Sequence, residues 1–177
     1  MRIIAGSRKG ARIFAPKGLD TRPTADRVRE AAFNLLGPGV AEDATVLDLF
    51  AGSGAMGLEA LSRGAAVATF VECDRDAVRV IERNLDKLRV TDARVVQQDV
   101  LRALAAERRT YDLILCDPPY GYDGEERLAA YLVRSLAPDG LLVYETSARE
   151  EPAVQGLTPR TSRTYGSARL TLFGHEP

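Results

Sequence analysis

Apolar residues recur along this chain in two alternating rhythms. Val28, Ala31, Ala32, Leu35 and Leu36 share one face of a predicted helix. Thr24 is placed to cap its start, and Gly37-Pro38-Gly39 ends it. Beyond it, short runs at 45–50, 66–72, 93–97, 111–116 and 141–145 read as strands, and 111–116 is apolar almost throughout. Helical spacing fills the gaps at 55–63, 75–88, 101–106 and 125–136. Val78, Ile81, Leu85 and Leu88 form the clearest stripe. Two last strands, 160–165 and 168–173, are separated by Gly166-Ser167, a two-residue linker suited to an antiparallel hairpin. The fold class expected is α/β: a doubly wound, mostly parallel sheet of seven strands that ends in a hairpin. Residues 2–14 alternate loosely around Gly6 and Gly10, which fits a short hairpin or a segment ordered by a partner. Two parts follow: a basic N-terminal extension at 1–20 and the α/β domain at 21–177.

Composition narrows the class. The 177 residues suit one core, and 28% charged with 45% hydrophobic residues is ordinary for a globular chain. No apolar run approaches the roughly 18 residues of a membrane span, and the first residues lack a signal-peptide core. The cytoplasm is the expected location and a monomer the expected state. Cys73 and Cys116 sit at strand ends and read as free core thiols. One histidine, His175, falls in what reads as a disordered tail, so no zinc site and no Ser-His-Asp set is expected. The net charge of −1 hides an asymmetry. Residues 1–36 hold eight basic and three acidic side chains, a net of +5, and the remainder carries −6. Arg8, Lys9, Arg12, Arg22 and Arg27 belong to that basic segment, which reads equally as a solvated surface or as contact for a polyanion.

Gly52, Gly54 and Gly57 fit G-x-G-x-x-G between a strand and a helix. Glu72, twenty residues after Gly52, ends the next strand, where a carboxylate can accept both hydroxyls of a ribose. The pattern fits a dinucleotide or S-adenosylmethionine. Asp48, inside the first strand beside the turn, favours the second: it would meet an ammonium well and repel a pyrophosphate. Asp99 follows the third strand, placed to meet an adenine edge, to cap the helix at 100–106, or both.

Tyr111-Asp112-Leu113-Ile114-Leu115-Cys116 runs straight into Asp117-Pro118-Pro119-Tyr120. A carboxylate thus stands at the carboxyl end of a central strand, on a turn stiffened by two prolines. An exocyclic base amine is a poor nucleophile because its lone pair is spread into the ring. Asp117 can accept one amine hydrogen and the Pro118 carbonyl the other, aiming the lone pair at a methyl donor. Tyr120 offers a face for the base to stack on. The alternative is a rigid turn with a surface tyrosine.

This order of motifs resembles the class I S-adenosylmethionine methyltransferases that modify base amines, with their Rossmann-like sheet. Met1-Arg2-Ile3-Ile4-Ala5-Gly6, Lys9-Gly10, Thr21-Arg22-Pro23-Thr24, Asp26-Arg27-Val28-Arg29-Glu30 and the glycine-loop stretch from Leu47 to Gly57 are similar to the bacterial family that methylates a guanine N2 amine of 16S ribosomal RNA. The resemblance implies that Asp48, Phe50, Ala51, Gly52, Ser53, Gly54, Glu72, Cys73, Asp99 and Val100 hold S-adenosylmethionine. It implies that Asp117 to Tyr120 hold the guanine, and that residues 21–30, with Thr24, lie over the cofactor site. It implies 16S rRNA in a partly assembled small subunit as partner, with Arg8, Lys9, Arg12, Arg22 and Arg27 on the RNA. The rivals are an adenine or cytosine amine methyltransferase acting on DNA or other RNA, an NAD oxidoreductase, and a non-catalytic RNA-binding module.

Overall fold

The computed structural model of the protein describes residues 1–16 and 23–176. Arg22 and the side chain of Thr24 therefore lie outside the described residues. Elements follow in the order α1 (Pro23–Leu36), β1 (Thr45–Leu49), α2 (Ala55–Ser62), β2 (Val67–Glu72), α3 (Arg75–Leu88), β3 (Ala93–Gln97), α4 (Val100–Ala106), β4 (Tyr111–Cys116), α5 (Glu125–Ser135), β5 (Leu136–Ser147), β6 (Thr158–Tyr165) and β7 (Ala168–Gly174). The sheet has seven strands in the order β3-β2-β1-β4-β5-β7-β6. β7 runs antiparallel to both β5 and β6, and the other pairs are parallel. The chain order reverses between β1 and β4, which opens the crevice where such sheets bind ligands.

Alternation along the strands sorts their side chains onto two cores. Val46, Phe70, Leu113, Leu115 and Val143 face α1, α2 and α3. Leu47, Leu49, Val71, Ile114, Cys116, Leu142 and Tyr144 face α4 and α5. Burial on both faces explains the continuous apolar runs.

Some boundaries and placements differ from the sequence reading. Helix α1 starts at Pro23, so Thr24 stands in its first turn instead of at its cap. Strand β5 begins at Leu136, directly after α5, because Leu136 pairs with Tyr111 ahead of an irregular step at Leu113. Cys73 is exposed and only Cys116 is a core thiol, since β2 ends at Glu72 and leaves Cys73 in the turn. His175 is no free tail. Its Nε2 lies 3.1 Å from the Leu136 carbonyl, and its own carbonyl accepts from Arg160.

Residues 1–14 form a narrow loop closed by one bridge, Arg2 to Arg12. Ile3 and Ile13 are buried in the core shared by α1, α2 and α3. Its tip lies against the end of α2, where the Ser7 amide donates to the Ser62 carbonyl at 2.7 Å. Gly6, at φ 83°, passes so close that a Cβ there would overlap that carbonyl. Glu59, fully buried in α2, fixes the segment. Its carboxylate accepts the amides of Ile4 (2.8 Å) and Ala5 (3.0 Å) and pairs with Arg29 (3.5 Å) and Arg63 (2.8 Å). Removing one partner of a buried pair leaves the other charge desolvated, a loss of about 3–5 kcal/mol. Glu59→Ala is expected to lower the melting temperature by about 10 °C in a circular dichroism melt. A shift under about 2 °C would show that the clamp does not hold this segment.

Candidate active site

The first turn after β1 is built under strain. Phe50, a non-glycine residue, sits at φ 57°, followed by Gly52 at 56° and Gly54 at 77°. A side chain in the left-handed region costs about 1 kcal/mol or more and persists where surrounding contacts over-determine it. Here they do. The Ala51 amide donates to the Val71 carbonyl (3.1 Å), the Gly54 amide donates to the Ala51 carbonyl (2.7 Å), and the Phe50 ring meets Tyr122 edge-on at 5.2 Å. Glu72 closes the turn: one carboxylate oxygen accepts the Gly52 amide (2.8 Å), the other the Asp74 amide (2.9 Å). A carboxylate has about four acceptor positions, so capacity for two hydroxyl donors remains. Ser53 is buried, and its carbonyl accepts from Asn84 of α3 at 3.0 Å.

Asp48 is buried in β1 and its Oδ2 accepts the Gly57 amide at 2.8 Å. Burial pushes its pKa up to about 8 despite that hydrogen bond, and the neighbouring Asp117 and Glu72 carboxylates add to the rise. At neutral pH this acid is mostly neutral until a cation approaches it. Asp99 caps α4, accepting the Arg102 amide at 3.1 Å, and Cys73 stands exposed beside Glu72. Val100, the next residue and the first of α4, has its side chain buried in the core.

Asp117 leaves β4 into the crevice, with Pro118 buried, Pro119 exposed and Tyr120 68% exposed. Asp117 is itself open to solvent at the crevice mouth. The protein around it still displaces enough water to raise its pKa to about 6.

The strand alternation adds a residue that the sequence reading missed. Phe70, Leu115 and Val143 face the α1–α3 core, so Glu72, Asp117 and Glu145, two positions later in each strand, continue on that face. Asp48, two positions after Val46, joins them. Cys116 pairs with Tyr144, which makes Asp117 and Glu145 neighbours at the next rung. Four carboxylates thus crowd the carboxyl ends of β1, β2, β4 and β5. Burial, then repulsion from Asp117, holds the Glu145 carboxyl well above the usual carboxylate range. An acid ending the apolar run Leu141-Leu142-Val143-Tyr144, at the parity of Asp117, was the signal available.

The basic residues are spread wider. Arg8, half-buried, donates from Nε to the Leu88 carbonyl at the end of α3 (3.3 Å), and Lys9 and Arg12 are exposed on the same loop. Arg27 is exposed on α1. Among the described residues no three His, Cys, Asp or Glu side chains group as metal ligands. Among the same residues no helix is long and apolar enough to cross a membrane.

This geometry has counterparts in other proteins. Residues 1–174 match the family described as conserved hypothetical protein 95. The chain is 37% identical over 174 residues to ribosomal RNA small subunit methyltransferase D of Escherichia coli (strain K12), covering 98% of this chain and 85% of that one. It is 40% identical over 184 residues to YlbH of Bacillus subtilis, with 98% of each chain covered. The solved structure of yhhF from Escherichia coli superposes with a TM-score of 0.89 at 37% identity, covering 99% of this chain and 98% of that one. The fold is that of the class I methyltransferases, and the chain belongs to the family of the small-subunit ribosomal RNA methyltransferases D.

Proposed function

We propose that this protein transfers the methyl group of S-adenosylmethionine to the exocyclic N2 amine of a guanine in small-subunit ribosomal RNA. The observation that carries the reading is the placement of Asp117 at the end of β4, beside Asp48 and the Glu72-closed glycine turn. The residues present fit the cofactor. A buried carboxyl at Asp48 is matched to an ammonium, Glu72 retains capacity for a ribose diol, and Gly52 and Gly54 hold a backbone a ligand can approach closely. Phe50, Ala51, Ser53, Cys73, Asp99 and residues 24 and 100 would line or support that cradle. When bound, S-adenosylmethionine supplies an electrophilic methyl on a sulfonium.

The chain's own groups do the remainder. Asp117, ionised, accepts one amine hydrogen and the Pro118 carbonyl the other, so that the nitrogen lone pair is freed from the ring and aimed. Pro118 and Pro119 hold that pair of acceptors in place, and Tyr120 stacks on the flipped base. Glu145, beside Asp117, has the higher pKa of the two, so it holds its proton while Asp117 is ionised. The RNA partner is read as 16S rRNA in a partly assembled subunit, met by Arg8, Lys9, Arg12, Arg22 and Arg27. The protein would act as a monomer in the cytoplasm. The basic extension at 1–20 and the methyltransferase domain at 21–177 divide these tasks.

The test is transfer of labelled methyl to small ribosomal subunits, free rRNA and DNA, followed by nucleoside identification. Label in N2-methylguanosine from the small subunit is the expected result, and label in methyladenosine, methylcytosine or DNA would overturn the reading. Asp117→Ala is expected to lower kcat at least about a hundredfold while leaving cofactor affinity within about twofold; an active variant would remove Asp117 from the mechanism. The pH dependence has a definite sign. Asp117 acts ionised and its pKa is raised to about 6, so protonation removes activity as pH falls through that value. With S-adenosylmethionine saturating, so that Asp48 is already ionised, the log of kcat/KM for the RNA should drop with unit slope below about pH 6. A profile flat to pH 4.5 would contradict the raised carboxyl.

A further inference from the structure

Two large aromatic side chains stand exposed among the described residues, Tyr120 and Phe14. Tyr120 is on the proposed base-binding loop. Phe14 has no place in that mechanism, yet its position is tightly fixed. Asn84, fully buried in α3, accepts the Phe14 amide (2.7 Å) and donates to the Phe14 carbonyl (3.1 Å). The same amide group donates to the carbonyl of Ser53 in the glycine turn. One asparagine therefore hangs Phe14 beside the turn after β1, with the residue 37% exposed.

Two cations converge on that ring. The Arg83 guanidinium lies 4.2 Å from the ring centroid and the Lys87 ammonium 4.6 Å. They are four residues apart on α3, where like charges repel. Neither is in an ion pair among the described residues, whereas Arg79, one turn earlier, is paired with Asp76 at 3.2 Å. Glu82 and Asp86 are exposed on the same helix, so the stripe keeps a positive excess only through Arg83, Lys87 and the loop that crosses them. That loop brings Arg8 against Leu88, at the end of α3. The result is a basic, aromatic stripe from Arg8 past Lys87 and Arg83 to Phe14, ending at the glycine turn.

We infer that this stripe is a single-stranded RNA track, in which Arg83 and Lys87 bind phosphates and Phe14 stacks an unpaired base on the approach to the crevice. Anionic phosphates relieve the repulsion between the two cations, and aromatic faces flanked by cations accept any base. A chain of net charge −1 has little overall attraction for a polyanion, so a local stripe must supply it. This rests on the reading of RNA as substrate. It adds α3, which the sequence reading left out, and assigns Phe14 a ligand.

The probe is a fluorescently labelled 20-nucleotide single-stranded RNA, titrated with the full chain at several salt concentrations. Arg83→Glu with Lys87→Glu should weaken binding at least about tenfold at low salt. It should also flatten the slope of log affinity against log salt by about 1.4, as expected for two lost phosphate contacts on a single strand. Phe14→Leu, which keeps an apolar anchor, should weaken binding about tenfold with an unchanged slope. In methyl transfer to small subunits the variants should raise KM and leave kcat within about twofold. Melting temperature and cofactor affinity are checked alongside. Wild-type affinity and slope in both variants would overturn the proposal. If wild-type protein methylates the subunit and the variants keep its KM, the track fails while the enzymatic reading stands. If wild-type protein transfers no methyl, the enzymatic reading fails, and the RNA titration decides the track alone.

Discussion

A buried parallel sheet is a poor place for charge, yet this one carries Asp48, Glu72, Asp117 and Glu145 at or near the carboxyl ends of β1, β2, β4 and β5, on one face by their register. Ionised together on that face, these carboxylates repel one another. The protein answers in two ways. Glu72 is satisfied by two backbone amides. Asp48, Asp117 and Glu145 have raised pKa values, so protons stay on where solvent alone would remove them. The crevice is thereby tuned to partners that bring positive charge or hydrogen-bond donors. A sulfonium cofactor with an ammonium group does so, and so does a base amine.

The rest of the structure holds that crevice in shape. The strained turn at Phe50 to Gly54 is kept by Glu72 from one side and Asn84 from the other. Asn84 also fixes Phe14, and Glu59 fixes Ile4 and Ala5. The N-terminal loop and the glycine turn are therefore parts of one packed unit. Movement of the loop on binding RNA would be felt at the turn through a single side chain.

Local signals were legible in the sequence. The glycine turn, the acid after it and Asp-Pro-Pro-Tyr are contiguous motifs whose chemistry follows from residue type and position, and the fold class follows from strand and helix rhythm. What was illegible depends on contacts across long stretches of chain. Glu59 reads as one more helix residue until residues 4 and 5 fold over it. Asn84 reads as a weak spot in an amphipathic helix. Glu145 becomes a partner of Asp117 only through the register of β4 on β5. His175 was misplaced for the same reason, because the Leu136 carbonyl lies against its ring; Cys73, next after a strand end placed correctly at Glu72, is exposed in the turn.

Burial keeps a proton on Asp48 until a cation reaches it. This is tested most directly by titrating S-adenosylmethionine into the protein at pH 7 by calorimetry, in buffers of different ionisation enthalpy. Asp48, with a pKa near 8 when free, should ionise on meeting the ammonium and release close to one proton. Asp48→Asn should release none from that position. Binding with no proton release, or release undiminished in Asp48→Asn, would contradict the account.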